Sequence, residues 1–232
     1  NILDEKDYDV VGVRTKGVLN GYAYKKDLGE RQLGAYFKNF DSREILPDTI
    51  SISEVLKVII VSNHVFISSF GNVAGIITRG DLQKIPIRMW LFSLISLIEM
   101  QMLRIIRDRY PEQSWEELIN DDKIIKKAKK YFKKLRNNNE EIDLVDCLQF
   151  FDKYTIISKT EDFLKKLQFN KNDFCEFLED LKNLRNKLAH AQDIITANWP
   201  SIINLSKKAE VLLKSCEAIN VTEDSFSSLQ NR

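Results

Sequence analysis

Apolar residues recur at every second position twice within the first eighty residues, and the period then changes to that of helices. Val11 and Val13 form the first alternating run and Val65 and Ile67 the second, each followed by a glycine-containing turn. Residues 10–28, VVGVRTKGVLNGYAYKKDL, align without a gap on residues 64–82, HVFISSFGNVAGIITRGDL, at a constant offset of 54 positions. Gly17 falls on Gly71, Gly21 on Gly75, Asp27 on Asp81 and Leu28 on Leu82. Each copy reads as strand, tight turn, strand and helix start, with Gly17 or Gly71 supplying the positive φ of a two-residue hairpin. Ahead of the second copy, Ser51 and Glu54 have capping-box spacing before the apolar run Val55, Leu56, Val58, Ile59 and Ile60, which predicts a short helix.

From Arg88 onward there is no glycine, only Pro111 and Pro200 interrupt, and strand-like alternation is missing. Such a stretch favours helix. The pattern predicts helices over 87–109, 114–136, 142–158, 160–168, 171–196 and 198–218. Residues 89–98 are apolar all round, which predicts the central, most buried helix of a bundle. Glu99 follows that run and is expected at the core edge with a basic partner. The fold class is therefore α+β: α/β repeats over 1–84, an all-α bundle over 85–220, and a flexible tail over 221–232.

Composition adds limits. The chain has 232 residues with a formal net charge of +1, so contact with a polyanion must come from a local patch. Cys147, Cys175 and Cys216 are far apart and read as buried thiols of a reducing, cytoplasmic setting. His64 and His190 are the only histidines and neither has a second ligand at helical spacing, which disfavours a zinc site. No signal peptide is visible, and the ten-residue apolar run is half of a bilayer span, so no membrane is expected. The chain opens with Asn1 rather than methionine, which implies residues upstream.

The tandem spacing of glycine, a hydroxyl residue and aspartate after a strand resembles the CBS pair, or Bateman module. The second copy carries Gly75, Thr78 and Asp81; in the first, Tyr24 stands in the hydroxyl position before Asp27. The first copy also lacks room for the strand and helix that normally open a repeat. The resemblance implies an adenosine nucleotide as regulatory ligand. Asp81 and Asp27 would accept from ribose hydroxyls, Thr78 and Tyr24 would line the site, and Arg79 with Lys25 and Lys26 would meet phosphate. Plain helix N-capping is the other role open to both aspartates.

Two features of the helical part point to RNA. In 114–136 an apolar stripe of Ile124, Ile125, Ala128, Phe132 and Leu135 is surrounded by lysines, among them Lys126, Lys127, Lys130 and Lys134. That face is either solvated or a polyanion contact. In 171–196 the stripe is Phe174, Phe177, Leu181, Leu184 and Leu188, and Arg185, Asn186 and His190 lie off it. The string from Arg185 to His190 resembles the Arg-x4–6-His signature of the HEPN superfamily. That resemblance implies a metal-independent endoribonuclease acting on single-stranded RNA at a composite site in a homodimer, with a stress or phage-defence role. His190 would move protons, Arg185 would stabilise the transition state, and Asn186 would orient the imidazole or hold a phosphate. No cofactor is expected for catalysis. Gln192 stands where some toxin–antitoxin members have a modifiable tyrosine. The competing expectation is a non-enzymatic nucleotide sensor whose helical part dimerises or recruits a partner.

Overall fold

Two hairpins built alike dominate the N-terminal part of the chain. In the computed structural model, which describes residues 5, 8–29, 33–167, 170–192, 194 and 199–230, β1 (Val10–Thr15) pairs antiparallel with β2 (Val18–Tyr24), and β5 (His64–Ser69) with β6 (Asn72–Thr78). The connecting residues Lys16 and Gly17, and Phe70 and Gly71, all have positive φ. That pair of left-handed residues matches the twist of the flanking strands. Val10 faces Tyr24 as His64 faces Thr78, and each register slips once, after Val13 and after Ile67. The internal repeat thus extends to the position of its β-bulge.

Each hairpin gains a third strand. β3 (Lys38–Asn39) pairs antiparallel with β2, while β4 (Ile45–Pro47) pairs parallel with β5. The parallel connection is made by α1 (Ile52–Val61), capped as the sequence predicts: the Ser51 hydroxyl accepts from the Glu54 N–H at 3.3 Å. Aromatic rings pack between the two sheets, with Tyr22 4.8 Å from Phe66 and Phe40 4.7 Å from Phe66 between ring centroids. Gly21 is required where β3 crosses: a Cβ there would sit 2.2 Å from the Lys38 carbonyl and 2.6 Å from the Phe37 ring. Its counterpart Gly75 would bring a Cβ no closer than 3.9 Å to its nearest neighbour.

The chain divides into units 1–82 and 83–232. The second unit holds α2 (Ile85–Arg109), α3 (Asp122–Asn137), α4 (Phe150–Ser158), α5 (Glu161–Lys166), α6 (Lys171–Ala189) and α7 (Trp199–Gln230). The class is α+β, two small sheets followed by helices. Four helix boundaries differ from the sequence expectation by several residues, that of α6 being described with its site below. A 3-10 segment over Pro111–Leu118 precedes α3 because the Asp121 carboxylate caps the Lys123 N–H at 2.9 Å. A second, Leu144–Cys147, precedes α4, where the Asp152 carboxylate accepts from the Gln149 N–H at 2.9 Å. α7 continues past 218 to Gln230, through most of the stretch expected as a tail; the expected helix residues 168, 193, 195, 196 and 198, and tail residues 231–232, lie outside the described ones.

α2 is central, but not buried all round as its composition suggests. Leu91, Leu94, Ile95, Ile98, Met102, Ile105 and Ile106 enter the core, whereas Ile85, Met89, Phe92, Leu97 and Met100 are exposed. By length and composition α2 is apolar enough to cross a membrane; here it forms the spine of the bundle core. Glu99 has the basic partner expected of it, Lys153 on α4, at 2.7 Å and with the lysine buried.

The two glycines give a contrast that urea denaturation can read. Gly21→Ala is expected to destabilise the chain by roughly 2 kcal/mol or more, because backbone rather than a flexible side chain must yield. Gly75→Ala is expected to leave stability within about 1 kcal/mol of the parent or slightly above it.

Candidate functional site

A cavity of about 390 Å³ opens between the two hairpins. Its lining is drawn in pairs from the two copies, each pair 54 positions apart: Asp9 with Asn63, Val10 with His64, Tyr24 with Thr78, and Lys26 with Gly80, completed by Arg79. The same equivalence holds in the backbone, where Lys25 N–H donates to the Asp9 carbonyl at 2.8 Å and Arg79 N–H to the Asn63 carbonyl at 3.3 Å. Both bonds anchor the 3-10 turns Lys25–Asp27 and Arg79–Gln83 beside the cavity. A site on which two repeats converge is what a duplicated strand–turn–strand unit makes when its strand ends meet.

Of the residues predicted for a nucleotide, Tyr24, Lys26, Thr78 and Arg79 line this cavity together, whereas Lys25 is not among its lining residues. Asp81 lies behind the lining: its Oδ2 accepts from the Thr78 N–H at 2.7 Å and from the Thr78 hydroxyl at 2.9 Å, fixing that hydroxyl's position. Asp27 pairs with Lys38 at 2.9 Å, and this bond holds its carboxyl below the ordinary carboxylate range. Lys38 and Lys26 both stand over the Tyr24 ring, at 4.4 Å and 5.4 Å from its centroid. The first copy's tyrosine therefore contributes a face carrying cations where the second contributes a hydroxyl.

Sequence reading missed His64 as a site residue. It is 6% exposed, lines the cavity, and its Nε2 is buried without a hydrogen-bond partner among the described residues. Tyr22, Tyr24 and Phe66 surround the ring edge-on. Burial holds its pKa below the usual value, against the opposing charge of Glu44. The signal was available in the alignment, since His64 takes the place of Val10 in the repeat.

The second predicted site lies at the end of α6. Leu181 and Leu184 are buried, Arg185 is half-buried, and Asn186 and His190 are exposed, so the three polar residues lie off the core stripe as expected. The helix stops at Ala189 rather than 196, and His190 is its C-cap. Ala191 takes φ 51°, its N–H donates to the Leu188 carbonyl at 3.3 Å, and the Gln192 N–H donates to the Lys187 carbonyl at 2.9 Å. This is a Schellman ending with alanine in the glycine position. Arg88 of α2 stabilises it, donating to the carbonyls of Gln192 at 2.9 Å, Leu188 at 3.2 Å and Lys187 at 3.3 Å. A guanidinium on the negative end of a helix is favourable in charge as well as geometry. Nothing local marked Arg88, because its partners are about a hundred residues away in the chain.

Lys127, Lys130 and Lys134 line a larger hollow in the same unit, whereas Lys126 is not among its lining residues. The chain matches no protein-family model, no curated protein and no solved structure. What each site does therefore rests on its own geometry. Arg185, Asn186 and His190 stand outside the hollows described here.

The buried imidazole gives the N-terminal unit a pH response of definite sign. Its folded pKa is depressed, so as pH falls through about 6.5 the unfolded chain takes up a proton that the folded one refuses. Stability is then lost until the folded pKa is passed. Hydrogen exchange of the β5 and β6 amides, corrected for intrinsic rates, should accelerate between pH 7 and pH 5. His64→Phe should flatten that response, since the depressed carboxyls of Asp27 and Asp41 act only at lower pH.

Proposed function

We propose that the chain is a nucleotide-regulated, metal-independent endoribonuclease, in which a CBS-like pair senses an adenosine nucleotide and a dimeric HEPN-like bundle cuts single-stranded RNA. The observation that carries the sensor half is the cavity lined by equivalent positions of both repeats, with cations around it and a buried imidazole whose Nε2 has no partner among the described residues. The order β4, α1, β5, β6 in the second copy is also what the CBS resemblance implies. For the nuclease half, support comes from the exposed Asn186 and His190 beside half-buried Arg185, on a helix end held by Arg88. The exposed apolar residues Ile85, Met89, Phe92 and Met100 on α2 favour a homodimer, because a second copy would remove them from water.

The chemistry follows from the side chains. Attack by the 2′-hydroxyl on the adjacent phosphorus expels the 5′-oxygen and leaves a 2′,3′-cyclic phosphate. His190 from one copy would accept the hydroxyl proton, its counterpart would donate to the leaving oxygen, and Arg185 would meet the charge on the phosphoryl oxygens. Asn186, one turn before His190, would orient the imidazole or hold a phosphate. The second reading is a non-enzymatic sensor with a dimerising bundle. It is favoured by one observation: the three motif residues stand outside the described cavities.

Calorimetry with an adenosine nucleotide tests the sensor half. Wild-type protein should take up ligand, and Asp81→Ala, which releases Thr78 as well as a carboxylate, should weaken it by about 1.5–3 kcal/mol. No uptake, or equal uptake by the variant, would count against it.

Incubation with single-stranded RNA in EDTA tests the nuclease half. Cleavage should persist and leave a 2′,3′-cyclic phosphate, and His190→Ala or Arg185→Ala should each slow it roughly a hundredfold or more. RNA with a deoxynucleotide at the cut site should resist. Intact RNA after prolonged incubation, from a protein that binds nucleotide and sediments as a dimer, would establish the sensor reading instead.

A further inference from the structure

A hollow of about 750 Å³ in the helical unit lies between α3 and the 144–152 segment. Its volume is in the range of small-ligand sites, about 300–1,000 Å³. Its floor is apolar, with Ile124, Ala128 and Leu148 contributing, and Lys127, Lys130, Tyr131 and Lys134 stand along its α3 side. The three lysines are exposed and form no ion pair among the described residues, whereas nearby Lys129 is committed to Glu116 at 2.7 Å. The acids of the lining are already engaged: Asp146 by Arg107 at 2.6 Å, and Asp152 by the Gln149 N–H. With Asp146 neutralised by Arg107, three lysines face one remaining carboxylate, Asp152, and the hollow is net positive. Tyr131 is half-exposed between these lysines, one residue from Lys130 and three from Lys134.

We propose that this hollow binds a stretch of single-stranded RNA, with one base stacked on Tyr131 over the apolar floor and successive phosphates on Lys127, Lys130 and Lys134. Three cations spaced by about one helical turn make a track roughly 10 Å long. A row of that kind suits a chain of phosphates, whereas an isolated carboxylate or phosphate would use one or two of them. An aromatic face flanked by cations over an apolar surface accepts any base without reading its edge, as in sequence-tolerant single-strand binding. The choice of RNA as the strand rests on the nuclease reading, and the site is separate from Arg185 and His190.

Binding is measured without cleavage, so that the two ideas can fail independently. The full chain is titrated, by fluorescence anisotropy, into a labelled ten-residue 2′-O-methyl RNA that offers no attacking hydroxyl. Tyr131→Leu should weaken binding about tenfold, and Tyr131→Phe should restore it; unchanged thermal unfolding of both shows that the fold is kept. The double variant Lys130→Gln, Lys134→Gln should reduce the salt-dependence slope by roughly 1.4. Equal binding by Tyr131→Leu, equal affinity for a duplex of the same length, or occupation of the hollow by a fluorescent fatty acid with no oligonucleotide uptake would each overturn the proposal. A protein that binds the oligomer through Tyr131 but never cleaves RNA overturns the nuclease reading alone.

Discussion

Two consecutive residues in left-handed conformation set the geometry of the N-terminal unit. Lys16 with Gly17, and Phe70 with Gly71, close each hairpin in two residues, and so short a turn leaves one register available to the strands. The non-glycine members each cost about 1 kcal/mol in that conformation. That cost is accepted twice, at equivalent positions. Register then decides which side chain of each strand end faces the other copy. Had either strand slipped by one residue, Tyr24 or Thr78 would turn away and the shared cavity would lose its matched lining.

Features carried by short-range pattern were legible in the sequence. The 54-residue repeat, the Ser51 cap, the strand pairs, the α6 stripe and the exposure of Asn186 and His190 all depend on neighbours within a few residues. What escaped depends on distant partners or on which side of a helix is covered. Glu99 was recognisable as a carboxylate at a core edge, yet Lys153 as its partner was not, because 54 residues separate them. Apolar residues all round α2 implied burial all round; composition records how greasy a helix is, not which faces its neighbours reach. The α6 terminus was placed seven residues late because no glycine announced it, and Ala191 takes the left-handed position with Arg88 holding the carbonyls instead.

The bundle places charge in its interior sparingly. Lys153 is buried with the partly exposed Glu99 against it, and removing Glu99 would strand the lysine's charge, at a cost on the order of 3–5 kcal/mol. Such a pair fixes the rotational setting of α4 against α2 more sharply than leucines would, since an ion pair has one good geometry and apolar contacts have many. Of the three cysteines expected to be buried only Cys216 is, Cys147 and Cys175 being half-buried; desolvation pushes the Cys216 thiol up to about 11 and raises Cys147 as well, so both are poor nucleophiles near neutrality.

Arg88 lies only eight residues along the chain from Gly80, which lines the cavity between the repeats. Between them are the rest of one 3-10 turn, Lys84 and the first three residues of α2. Arg88 stands in the first turn of α2, and the three carbonyls it grips end α6 beside its C-cap His190. The end of α6 is thus moored sideways to α2, as a guy-rope steadies a mast, and does not depend on its own last turn to keep from fraying.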